Sequence, residues 1–85
     1  MSPQEINDLR IEVKTLICRL DLDGRKSTVL LPALSRYFSK NVSAQTLSLA
    51  LKGTRTSAPY LELLVNLQYI LTDSEFINSI SQKSN

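Results

Sequence analysis

The stretch NVSAQTLSLALKGTR, residues 41–55, constrains the fold more than any other part of the chain. Ser43 is a helix-capping residue whose side chain can accept from the first free backbone N–H groups, and Gly53 can take the left-handed turn that ends a helix after Lys52. Between them Leu47, Ala50 and Leu51 recur at three- and four-residue steps, so this short helix has one apolar face. The opposite face carries Ser43, Ala44, Gln45, Ser48, Leu49 and Lys52, with no acidic side chain among them. A helix of this kind has to bury its inner face against others, so the pattern predicts an all-α chain.

The segments on either side repeat that logic. Ser2, Pro3 and Glu5 form a helix start with a capping box, and Ile6, Leu9, Val13, Leu16, Ile17 and Leu20 continue at helical spacing, predicting a helix over about 3–20. Asp21, Asp23 and Gly24 match the start of a calcium loop, but Arg25, Lys26 and Pro32 stand where further oxygen ligands are needed, so a turn is expected, with Gly24 closing the first helical region. Val29, Leu30, Leu31, Leu34, Tyr37 and Phe38 predict a second helix starting near Pro32, or one starting at Thr28 and bent at the proline. After a loop over 53–58, Pro59 suits the first turn of a fourth helix reaching Leu71, and Thr72 or Asp73 can cap a fifth that carries Phe76, Ile77 and Ile80. The polar end, 81–85, is expected to fray. With 85 residues, 42% hydrophobic and only 2 Gly and 3 Pro, the chain reads as one ordered domain over 1–85.

Charge is unevenly distributed. Residues 1–23 and 57–85 each carry more acid than base, whereas 24–56 holds Arg25, Lys26, Arg36, Lys40, Lys52 and Arg55 and no acid. All the positive surplus therefore lies in the segment around the capped helix. A surface lying against phosphates has that footprint, and so does a solvated face.

Leu34 and Ser35, then Phe38, then the run from Val42 to Ser48, and finally Lys52, Gly53, Thr54 and Arg55 resemble the helix-turn-helix of Cro and phage-repressor proteins, the Xre-like family. The sequence departs from that pattern at Ser35, where the family often has Ala, and at 39–41, where Ser, Lys and Asn replace a short glycine-containing turn. The resemblance implies a lambda-repressor-like bundle of four to five helices with its helix-turn-helix over about 32–52. It also implies a sequence-specific regulator of transcription, with repression the expected sense. Double-stranded DNA would be the partner, with the 43–52 helix of each subunit of a homodimer in the major groove. Ser43, Ala44, Gln45, Ser48 and Leu49 would then face base edges, Gln45 pairing bidentately with adenine. Arg25, Lys26, Arg36, Lys40, Lys52 and Arg55 would hold phosphates.

The fourth helix is apolar around more than one stripe, which predicts a subunit interface through Tyr60, Leu63, Leu64, Leu67, Tyr69, Phe76 and Ile80, unless the fifth helix covers the surplus. Other chemistries find little support. There is no His, no Gly-rich phosphate loop and no paired carboxylate in an apolar setting, so an enzyme, a metal site, a cofactor or a small-molecule ligand is not expected. Cys18, the single cysteine, lies among Leu16, Ile17 and Leu20 and is expected to be a buried thiol in a reducing cytoplasm. No run approaches a bilayer span, and no signal-peptide layout opens the chain, so no membrane partner is expected. The alternative from another class is a small helical module, inhibitor- or antitoxin-like, that binds a protein through the fourth helix.

Overall fold

A computed structural model describes residues 2–83, with side chains through Ile80, and all regular structure among them is helical. The elements are α1 (Pro3–Arg19), a 3₁₀ turn (Asp23–Arg25), a π-helical turn (Lys26–Leu30), α2 (Leu31–Phe38), α3 (Ala44–Lys52), α4 (Ala58–Thr72) and α5 (Ser74–Lys83). The end expected to fray is helical as far as Lys83, and Ser84 and Asn85 lie outside the described residues. No helix among the described residues is long and apolar enough to cross a membrane.

Local chemistry fixes most boundaries. Ser2 Oγ accepts from the Glu5 N–H while the Glu5 carboxylate accepts from the Ser2 N–H, the reciprocal box that starts α1. The Ser2 N–H, and then the Ser2 hydroxyl beside the carboxylate, hold the Glu5 carboxyl below its usual pKa. At the other end the chain stops through Asp21, at φ 57°, and Gly24 has no left-handed role. Leu22 is drawn fully inside just beyond, its N–H donating to the Ile17 carbonyl at 2.9 Å.

The second helical region starts before Pro32, at Lys26 rather than at Thr28 or the proline. The π turn over Lys26–Leu30 leads straight into α2. A proline ring crowds the carbonyl four residues back, and the wider π turn gives that carbonyl room while apolar Val29 and Leu30 stay helical. Ser39 ends α2 in the left-handed conformation, φ 55° and ψ 36°, with its N–H directed at the Leu34 and Ser35 carbonyls. A serine thus does what glycine usually does at a helix stop.

The core has α4 at its centre. That helix touches α1, α2, α3 and α5, which explains why it is apolar around so much of its circumference. Leu63, Leu64, Leu67, Phe76 and Ile80, expected at a subunit interface, are instead buried inside the chain, with Leu67 fully so. Four neighbouring helices take up the surplus that suggested a second subunit. From the expected interface only Tyr69 is exposed, at 57%, while Tyr60 is half-buried at the edge of the core. Cys18 corrects a second expectation: it is exposed, because α1 turns Leu9, Val13 and Ile17 inward and the next residue lies about 100° around the helix.

Candidate nucleic-acid interface

Ser43 starts α3 as a true cap. Its Oγ accepts from the Thr46 N–H at 3.1 Å, and Gly53, at φ 77°, ends the helix in the left-handed conformation. Leu47, Ala50 and Leu51 are buried, and α3 packs on α4 and α1. Ser43, Ala44, Gln45 and Lys52 are exposed, while Ser48 and Leu49 are half-buried. Gln45, Leu49 and Lys52 lie four, then three residues apart and so share one ridge, with Ser48 beside it. The helix thus presents amide, hydroxyl, methyl and ammonium groups from one outward surface.

Cations gather at its C-terminal end from elements distant in sequence. Arg10 of α1 reaches across: Nη1 donates to the Leu51 carbonyl at 3.5 Å and Nη2 to Asn7 Oδ1 at 2.7 Å. Its side chain fills the space over Gly53, where an added Cβ would lie 2.8 Å from Arg10 Cδ and Nε. Arg10, Arg55, Asn7 and Thr56 line a groove of about 260 Å³ along this side. A second groove, of about 210 Å³, is lined by Leu51 with Lys14, Lys26 and Asp23, which pairs with Lys26 at 3.1 Å. Carbonyls at a helix C-terminus carry partial negative charge, so positive groups are stabilised there.

The six cations of 24–56 do not form the single patch that their order along the chain suggested. Lys26, Lys52 and Arg55 flank the end of α3. Arg25 and Arg36 line a separate groove of about 190 Å³ against Phe76, Ser79 and Ile80, on the side of α5. Arg25 also donates to the Asp21 carbonyl at 3.1 Å, and Arg36 lies 5.9 Å from the centre of the Tyr37 ring. Lys40 lines a further groove with Val42, Pro59 and Leu63 and pairs there with Glu62 of α4 at 2.6 Å. Sequence order cannot anticipate this division, because the turn before α2 and the packing of α4 decide it. Arg10 and Lys14 come from 1–23, a segment acidic on balance, so linear order did not group them with the other cations. Their four-residue spacing was the available signal, since it puts both on one side of α1.

Among the described residues no three His, Cys, Asp or Glu side chains gather where they could hold a metal ion. No family model matches the chain, and neither a curated protein nor a solved structure matches it.

Proposed function

We propose that the chain is a sequence-specific DNA-binding regulator that lays α3 in the major groove. The observation that carries the reading is the capped helix itself: its outward ridge is free of acid, and Arg10, Lys14, Lys26, Lys52 and Arg55 surround its C-terminal end. Gln45 is assigned to a base edge, where its amide NH2 can donate to adenine N7 while its amide oxygen accepts from N6–H. Ser48 and Ala44 support it, and Leu49 meets a thymine methyl. Lys52, Arg55 and Arg10 are assigned to phosphates, with Lys14 and Lys26 farther along the backbone. Arg25, Arg36 and Lys40 drop out of the phosphate set because they line other grooves, away from the C-terminal end of α3. One copy serves one half-site, and a second would occupy the next major groove about 34 Å along the duplex. Repression follows from the same occupancy, since a small protein seated on a promoter blocks access to it.

Selection from a random-sequence duplex pool, followed by fluorescence anisotropy at two salt concentrations, tests this reading. Gln45→Ala is expected to alter sequence preference. Lys52→Ala is expected to weaken every duplex alike and reduce the salt slope by about one unit. Failure of the pool to converge on any sequence, with equal weak binding throughout, would overturn the assignment.

A further inference from the structure

The large apolar side chains that stay exposed among the described residues are Ile11, Val65 and Tyr69, at 48%, 44% and 57%. Val65 and Tyr69 are four residues apart on α4, and half-buried Leu61 extends the same ridge by one turn. Phe38 packs edge-on against Tyr69, with ring centres 5.6 Å apart, and widens the ridge on the side of α2. On the side of α1, Val65 and Gln68 share a shallow groove of about 290 Å³ with Glu5, Asp8, Leu9 and Glu12, and no basic residue lines it. These acids are held in place: Glu12 accepts from the Gln68 amide, Asp8 from the Gln4 amide at 3.2 Å, and Glu5 belongs to the capping box.

We infer that this surface docks a cationic amphipathic helix of another protein. The ridge suits the apolar stripe of a helix laid alongside α4, which reads as anchors at three- and four-residue steps. The acids along its α1 border require lysine or arginine on the flank of that stripe and repel nucleic acid and anionic lipid. A second copy of this chain is the wrong occupant, because twofold pairing would bring like acids together. Leu63 and Leu67, buried beneath, project from the opposite side of α4 to Val65, about 160° around the helix. The inference is independent of DNA binding, since it uses a different surface.

Titration calorimetry with two synthetic helices of about 18 residues, one Leu/Lys and one Leu/Glu, makes the test, alongside sedimentation of the chain alone. The Leu/Lys helix should bind and the Leu/Glu helix should not. Val65→Ser with Tyr69→Ser, and separately Asp8→Lys with Glu12→Lys, should each weaken binding by about tenfold or more while leaving the helical circular dichroism unchanged. Equal binding of both peptides, affinity unaffected by either pair of substitutions, or a dimer of the chain that the Val65→Ser, Tyr69→Ser pair dissociates would each overturn the inference.

Discussion

One hydroxyl links two helices at Tyr37. Its O–H donates to Asp73 Oδ2 at 2.9 Å, and the same oxygen accepts from the Phe76 N–H at 3.1 Å, so the cap of α5 is tied to the end of α2. Burial, and then the bond to Asp73 and that residue's charge, raise the Tyr37 pKa above its usual value. The fold thus favours the neutral phenol. This stabilisation is complete below the ordinary tyrosine pKa of about 10 and is lost as pH rises from there through the raised folded value. Tyr37→Phe should cost about 1 kcal/mol at neutral pH and flatten the alkaline loss of stability, as read from urea melts at neutral and alkaline pH. Ser39 offers a second residue-scale case. Relieving its left-handed strain while loosening the unfolded chain, Ser39→Gly should add about 0.5 kcal/mol in the same melts. The caps at Ser2, Ser43 and Gly53 were legible in the sequence because each acts within one helical turn. The left-handed stops at Asp21 and Ser39 were not, since neither side chain requires that conformation and only the chain beyond imposes it.

Among the elements, α4 separates what periodicity can reveal from what it cannot. Its length and start were readable from Pro59 and the apolar run, but the run alone does not distinguish a helix shared between subunits from one enclosed by its own chain. Contacts with α1, α2, α3 and α5 decide for enclosure. Leu67→Ala should therefore cost about 2–5 kcal/mol as a cavity in a single chain. Denaturation midpoints of both proteins should not change with protein concentration, whereas a midpoint that climbs with concentration would mark a shared interface. The π turn before α2 teaches a similar lesson: Pro32 announced a disturbance, and only the packing of Leu30 and Leu34 into the core kept the segment helical through it.

For the molecule as a whole, the fold divides charge differently from the sequence. Linear order grouped six cations into one segment, and folding sends Arg25 and Arg36 toward α5, pairs Lys40 with Glu62, and recruits Arg10 and Lys14 from a segment that is acidic on balance. The outward face of α3 was legible because helical phase determines it; the company it keeps was not, because α1 and the 53–57 loop reach it only in three dimensions. Arg10→Ala should weaken DNA binding and reduce its salt slope about as much as Lys52→Ala does, while Lys40→Ala should change either quantity little, as anisotropy titrations will reveal. The most direct test is amide chemical-shift mapping of the chain titrated with its selected duplex. The account predicts shifts concentrated at residues 43–56 and around Arg10, with Val65, Tyr69 and the acidic side of α1 unmoved. Shifts centred on α4 and α1, with Gln45, Ser48 and Lys52 silent, would contradict it.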